Sequence, residues 1–343
     1  MTTRPLSPLT MLLSRHTRRR SFITLLGGAA AAWPLAVGAQ TLRHRPLVGS
    51  LQVQSLTGSA RYASEFLRGM AELGYVEGRN IDFERRYAAG DLRRLPALAN
   101  ELVNLKPDVI LTTTSAAALA FTQVTQSIPI VATAMVDPVG FGLAASEARP
   151  GGQVTGILIS LDALPGKQLA LALEIVPGAA KVGVLLNGLN PTTAVYRAGI
   201  EAAAANLQIK LVPVEVRGSD DLDAAFEKFL HEKVDLVFVA QDSLLLSERA
   251  RLATLAIAAR LPTMYGLREH VEAGGLVCYG INVAENFRRG ATFVDKILKG
   301  AKAGDLPIEL PVRLDLLVNL KTAKSIGLVI SESFLVRADE VIE

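Results

Sequence analysis

The sequence predicts an α/β protein of two similar Rossmann-like lobes, each a parallel sheet flanked by helices. Three observations carry that expectation. A strand, polar turn, helix, strand unit occurs first over 106–142 and again over 233–266. Equivalent positions keep a near-constant offset: 127 positions separate Asp108 from Asp235, and 133 separate Pro129 from Pro262. A repeat of that length indicates two copies of one supersecondary unit. Extended segments near 155–160, 279–283 and 308–317 join the copies, which predicts a three-strand hinge between lobes that close on a ligand.

The first forty residues are read as an export signal. Arg18, Arg19 and Arg20 precede a weakly apolar stretch from Ile23 to Ala39, and Val37-Gly38-Ala39 forms a small-x-small cleavage site. Two arginines before x-Phe-Ile give it a twin-arginine character, although Thr24 stands where a lysine is usual. Pro34, Gly27 and Gly28 argue against a membrane span. Cleavage after Ala39 removes five arginines and no acid, taking the formal charge from +3 to −2. The basic balance of the full chain therefore belongs to the signal and gives no argument for nucleic-acid binding.

The mature chain begins with a strand at Pro46–Leu51. Ser59 is a candidate N-cap, and Tyr62, Phe66, Met70 and Leu73 form an apolar stripe of helical spacing, the mark of a core-facing helix closed by Gly74. Asn80–Tyr87 reads as the second strand, and Asp91 caps a helix running to Leu105. Val109-Ile110-Leu111 is the short apolar run of a buried parallel strand, stopped by Thr112, Thr113, Thr114 and Ser115. An alanine-rich helix over 116–126 follows, then a strand at Ile128–Val131 with Pro129 at its start, and Asp137-Pro138 ends the unit.

Val154–Ile159 is extended, and a helix opens at Leu164 and ends at Val176-Pro177-Gly178. The second copy has strands at Lys181–Leu186, Ile209–Val216, Lys233–Val239 and Leu261–Gly266, and helices at Thr192–Asn206, from Asp220 to Phe229, and at Leu244–Arg260. A strand at Gly275–Tyr279, a helix at Glu285–Leu298, an extended run at Ile308–Leu317 and a short helix at Asn319–Ile326 complete it. The expected lobes are 46–158 with 283–309, and 159–282 with 310–343.

Half the chain is apolar, which suits two ordinary cores. The single cysteine, Cys278, excludes an internal disulfide, and the four histidines have no metal-ligand spacing. Neither Val48 nor Leu185 is followed by G-x-G-x-x-G, and G-x-x-x-x-G-K-[ST], G-x-S-x-G and H-E-x-x-H are missing from the chain. No enzymatic role, metal or cofactor is expected.

Several blocks together resemble a known family. They are Gly74-Tyr75-Val76-Glu77-Gly78-Arg79-Asn80, Arg94-Leu95-Pro96-Ala97-Leu98-Ala99, Asp137-Pro138-Val139, Arg149-Pro150-Gly151-Gly152-Gln153-Val154-Thr155-Gly156 and Val318-Asn319-Leu320-Lys321-Thr322-Ala323-Lys324. Across nearly all of the mature chain the sequence resembles the ABC-transporter substrate-binding proteins of the type that includes tryptophan/tyrosine-binding members. The resemblance implies a class I periplasmic-binding-protein fold and a monomeric periplasmic receptor. Such a receptor delivers a small solute to an inner-membrane ABC permease driven by its ATPase. A sensor subunit that hands its closed form to a membrane receptor is the alternative, since one fold serves both.

The ligand expected is an amino acid or related organic acid. Thr113, Thr114 and Ser115 either hold its carboxylate through hydroxyls and helix-terminal N–H groups or cap their own helix. Asp137 either pairs with an ammonium or shapes the turn before Pro138. Asp242 either receives the ammonium or caps the helix it precedes. Gln52, Gln54, Asn187 and Asn190 are directional hydrogen-bonding candidates on the two equivalent loops. Tyr265 and Tyr279 end second-lobe strands and either stack on the ligand or pack in core and hinge.

Overall fold

A computed structural model describes residues 45–159, 163–311 and 313–343. The export signal expected over 1–39 lies outside the described residues. Among the described residues, twelve strands make two sheets. In the first, β1 (Leu47–Gln52), β2 (Asp82–Tyr87), β3 (Val109–Thr114), β4 (Ile130–Met135) and β5 (Val154–Leu158) stand in the order β2-β1-β3-β4-β5, all parallel. In the second, β6 (Lys181–Asn187), β7 (Lys210–Val216), β8 (Leu236–Val239), β9 (Thr263–Tyr265) and β10 (Val277–Ile281) repeat that order as β7-β6-β8-β9-β10. β11 (Leu314–Asn319) and β12 (Glu340–Ile342) extend it beyond β10.

The repeat has a physical signature in each sheet. Asp108 Oδ2 accepts from the Leu47 amide at 2.8 Å and so ties the start of β1 to β3. Asp235 Oδ2 does the same for β6, accepting from the Ala180 and Lys181 amides at 2.8 Å each. Gly156 of β5 and Gly280 of β10 are also equivalent. A Cβ at either position would lie 1.8 Å from a neighbouring carbonyl oxygen, that of Ala132 in β4 or of Gly266 just beyond β9, so only glycine allows that approach.

Helices cover both faces. On the first sheet these are α1 (Leu56–Glu72), α2 (Leu95–Asn104) and α3 (Ser115–Thr122). On the second they are α4 (Leu164–Ile175), α5 (Thr193–Asn206), α6 (Leu222–His231), α7 (Ser243–Ser247), α8 (Arg249–Ala259) and α9 (Arg268–Glu272). Then α10 (Val283–Leu298) returns to the first sheet. Its buried Val283, Phe287, Gly290, Ala291, Val294 and Ile297 recur at three- and four-residue intervals, one apolar stripe. Phe287 stacks on Tyr62 of α1, ring centroids 5.2 Å apart, and Asn286 Nδ2 donates to the Thr133 carbonyl of β4 at 3.0 Å. Two short helices, α11 (Leu320–Ile326) and α12 (Glu332–Leu335), close the chain.

The chain crosses between sheets three times: after β5, at Asn282, and between Glu309 and Leu314. Asn282 caps α10, accepting from the Glu285 amide at 3.3 Å, and its Nδ2 donates to Asp315 Oδ2 of β11 at 3.4 Å. Two crossing segments are thus fastened to each other.

Five sequence expectations need correction. The N-cap of α1 is Ser55, whose hydroxyl accepts from the Gly58 amide at 3.1 Å, while Ser59 is buried inside the helix. The single helix expected over 244–260 is two, α7 and α8. It bends at Glu248, where the Ser247 hydroxyl donates back to the Ser243 carbonyl at 2.9 Å. The extended run from Ile308 is not one strand. Glu309 makes an isolated bridge to Ile157 of β5, and only 314–319 form β11. The second sheet is not wholly parallel either, because β11 runs antiparallel to β10. Asp91 caps a 3₁₀ turn, Leu92–Arg94, rather than α2 itself, which starts with Pro96 in its first turn.

Candidate functional site

Parallel sheets end their strands together, so loops at the carboxyl edges of both sheets face one cleft. From the first sheet come Gln54 beyond β1, Thr113 and Thr114 ending β3, Ser115 opening α3, and Val136 beyond β4. From the second come Asn190 and Thr192 beyond β6, Gln241, Asp242 and Ser243 beyond β8, and Leu267 beyond β9. Ile159 and Val283 line it from the crossings. The cavity they enclose measures about 50 Å³. A larger groove of about 500 Å³ lies outside, between α1 and α10. It opens to solvent and its guanidiniums are paired, Arg288 with Glu72 at 2.6 Å and Arg289 with Glu309 at 2.7 Å. It is away from the strand ends, so the small cleft is the candidate site.

Among the described residues lining the cleft, Asp242 is the one charged side chain, and it is 6 % exposed. Its Oδ1 accepts from the Leu244 and Leu245 amides at 2.7 and 3.1 Å, which makes it the N-cap of α7. Its Oδ2 accepts from Asn190 Nδ2 at 2.7 Å, and Asn187 Nδ2 reaches both oxygens at 3.1 Å. Neutral donors hold this carboxylate without cancelling its charge. A buried, oriented negative charge with neutral partners suits a cationic group on a ligand.

Across the cleft, Thr114 caps α3, its hydroxyl accepting from the Ala117 amide at 3.3 Å. The Ser115 hydroxyl is occupied differently. It donates to the Val136 carbonyl at 2.7 Å and accepts the Val136 amide at 2.9 Å, clamping β3 to β4. Thr113 donates to Gln52 Oε1 at 3.0 Å, and Gln52 Nε2 donates to Ser50 at 2.9 Å. Gln52 thus braces Thr113 from behind and does not line the cleft. What remains for an anion on this wall is the positive end of α3. Gln54 Nε2 donates across the cleft to Ser243 Oγ at 3.3 Å, while its buried Oε1 has no hydrogen-bond partner among the described residues.

Six of the residues singled out from sequence therefore meet in the cleft: Gln54, Thr113, Thr114, Ser115, Asn190 and Asp242. Asn187 supports Asp242 from behind. Asp137, Tyr265 and Tyr279 are used elsewhere. Asp137 is exposed and turns the chain with φ +42°, its Oδ1 accepting from the Gly140 amide at 2.8 Å. Tyr265 is in the second core, stacked on His270 at 4.6 Å, where burial pushes its hydroxyl up to about 12. Tyr279 packs against the same core, and its carbonyl accepts Gln168 Nε2 at 2.6 Å.

Sequence reasoning missed Tyr62, Gln241, Leu246 and Leu267. Tyr62 sits in the α1 stripe, lines the cleft, and donates to Glu269 Oε1 of α9 at 2.9 Å. Burial pushes its hydroxyl well above the ordinary value, and burial also raises the Glu269 carboxyl. Gln241, neighbour of Asp242, accepts the Tyr196 hydroxyl and donates to the Gly266 carbonyl at 2.6 Å. Leu246 and Leu267 leave the second sheet to join the first lobe's core. With Gln54–Ser243, Tyr62–Glu269 and an Arg61–Glu272 ion pair at 2.8 Å, the two lobes are closed on each other. Among the described residues no helix is long and apolar enough to cross a membrane.

Comparison with known proteins agrees with this architecture. The tyrosine-binding protein of Clostridioides difficile (strain R20291) is 26% identical over 265 residues, covering 77% of this chain and 75% of that protein. An ABC domain from Streptococcus pneumonia in complex with L-Trp superposes with TM-score 0.81 at 23% identity, over 87% of this chain and 100% of that one. The ligand-free, open structure of a Clostridium difficile substrate binding protein with adhesive properties gives TM-score 0.64 at 24% identity, over 87% and 99%. The fold is that of the type I periplasmic binding proteins. The model of the family described as ABC transporter substrate binding protein matches residues 52–342, and with two such lobes closed over a polar cleft, the chain belongs to that family.

Proposed function

We propose that this protein captures a free amino acid in the interlobe cleft and presents it, enclosed, to the permease of an ABC importer. The observation that carries the reading is Asp242, a buried carboxylate with neutral donors as partners and the one charged side chain among the described residues that line the cleft. The ligand's ammonium binds there, assisted by Gln54 Oε1, which has no hydrogen-bond partner among the described residues. Its carboxylate takes the amino end of α3, between Thr114 and Ser115. Aliphatic groups from both lobes receive the side chain. The two relatives whose names state a ligand, tyrosine and L-Trp, support an amino acid.

Closure supplies the selectivity. The moving bodies are 46–158 with 283–309, and 159–282 with 310–343. A ligand that satisfies polar groups on both stabilises the closed form. The export signal expected at the amino terminus puts this exchange in the periplasm. No chemical step is involved, and the ligand leaves unmodified.

A thermal-shift screen of the purified protein against amino acids, organic acids, sugars and nucleosides tests the proposal. A ligand at a hundred times its Kd stabilises by about 2.7 kcal/mol, a rise of a few degrees in Tm. Amino acids are expected to give that rise, and their N-acetyl derivatives are not. Rises confined to sugars or nucleosides would overturn the assignment.

A further inference from the structure

We infer that the cleft counts the N–H bonds of its ligand's amine: it takes a primary ammonium, discriminates against N-methylated and imino acids, and rejects betaines. The inference rests on the amino-acid reading above and adds the class of amine. It comes from following the proton of each lining hydroxyl and amide to its partner.

Three lining groups are left as acceptors. Asp242 is held by donors alone, the Leu244 and Leu245 amides and the side-chain amides of Asn187 and Asn190. Gln54 has its Nε2 spent on Ser243 across the cleft at 3.3 Å, and its Oε1 is buried with no partner among the described residues. Thr113 gives its proton to Gln52 Oε1 at 3.0 Å, and Gln52 Nε2 is in turn held by Ser50 at 2.9 Å. The buried Thr113 oxygen therefore has lone pairs to offer and no proton. Thr114 and Ser243 are the reverse case. Their hydroxyls already accept, from the Ala117 amide and from Gln54 Nε2 at 3.3 Å each, and keep a proton for the ligand's carboxylate.

Three acceptors, one from the second lobe and two from the first, match the three N–H bonds of a primary ammonium. Each methyl on that nitrogen removes a donor and leaves a buried acceptor without a partner, and a site built on hydrogen bonds rejects an analogue that cannot make them. A quaternary ammonium donates nothing, and the setting that suits it is a cage of aromatic faces. Among the described lining residues Tyr62 is the one aromatic, and its ring is stacked on Phe287 at 5.2 Å.

Isothermal titration of the purified protein with L-alanine and L-tryptophan, each beside its N-methyl and N,N,N-trimethyl forms, tests this. Within a series only the amine changes. The first methyl is expected to weaken binding about tenfold and the trimethyl form about a thousandfold. Thr113→Val separates hydrogen bonding from bulk, because it removes one acceptor and keeps the shape. In that variant the penalty of the first methyl should shrink to about threefold or less. Gln54→Leu gives the same reading if the valine protein fails to fold, and thermal unfolding reports the fold of each. A first-methyl penalty below about threefold in the parent protein, or one unchanged in the folded variants, would overturn the inference and leave the amino-acid reading standing. Binding of neither unmethylated amino acid, nor of any other, would remove both.

Discussion

Replacing Asp242 by asparagine separates the two duties of this residue. One oxygen serves the helix, accepting the Leu244 and Leu245 amides at 2.7 and 3.1 Å. Asparagine caps a helix about as well as aspartate, so that duty survives, but its new NH2 faces the Asn190 and Asn187 amide donors and cannot accept from them, and the ligand-free protein should lose about 1–3 kcal/mol of stability. The other oxygen, which accepts Asn190 Nδ2 at 2.7 Å, becomes an amide that carries no charge. A hydrogen bond to a charged group contributes about 1.5–3 kcal/mol. The ligand's ammonium also loses its counter-charge in a cleft with no other acid among its described lining residues. Asp242→Asn should therefore weaken amino-acid binding by about 2–3 kcal/mol, roughly 30- to 150-fold in Kd. Isothermal titration reads the affinity, and thermal unfolding without ligand reads the fold. A folded variant whose Kd stays within about threefold of the parent would refute the assignment of the ammonium to Asp242.

Three further outcomes follow from the same geometry. Tyr62→Phe keeps the stack on Phe287 but removes the cross-lobe bond to Glu269. It should weaken ligand binding by about 1 kcal/mol, near fivefold, mainly through faster dissociation, and unchanged kinetics would deny that bond a part in closure. Burial raises the Glu269 carboxyl in the closed form, so closure takes up protons. The closed form is then favoured below the ordinary carboxyl range and loses that advantage as pH rises through the raised value. Ligand Kd should increase with pH across that window, and the slope should be absent in Glu269→Gln. The whole fold has the opposite trend at His270, whose pKa burial lowers to about 4. An unfolded histidine takes its proton near 6.5, so this stability is present above pH 6.5 and is lost as pH falls towards 4, by roughly 2–4 kcal/mol. A Tm with the same acid dependence in His270→Phe would contradict this.

The fold was legible where one physical rule had one reading. Parallel strands buried on both faces are continuous apolar runs, so β3 and β8 stood out, and the aspartate before each fixed the repeat. Direction is not encoded in such a run, which hid the antiparallel placement of β11. The bend between α7 and α8, where the Ser247 hydroxyl turns back to the Ser243 carbonyl, is a local backbone feature that apolar spacing does not report. In the site, Asp242 was readable because a polar turn between a buried strand and a helix has to face the carboxyl edge of the sheet. Asp137 satisfied that same rule and yet turns away, with its carboxylate spent on Gly140. Tyr62 was hidden because a helix stripe spaces core and cleft residues alike. Only the neighbouring lobe decides which it becomes.

The most direct test of the account is a crystal structure with a bound amino acid. The ammonium nitrogen is expected about 2.8 Å from an Asp242 oxygen and the carboxylate against the first turn of α3. A ligand bound outside the interlobe cleft, or inside it with its carboxylate towards Asn187 and Asn190, would contradict it.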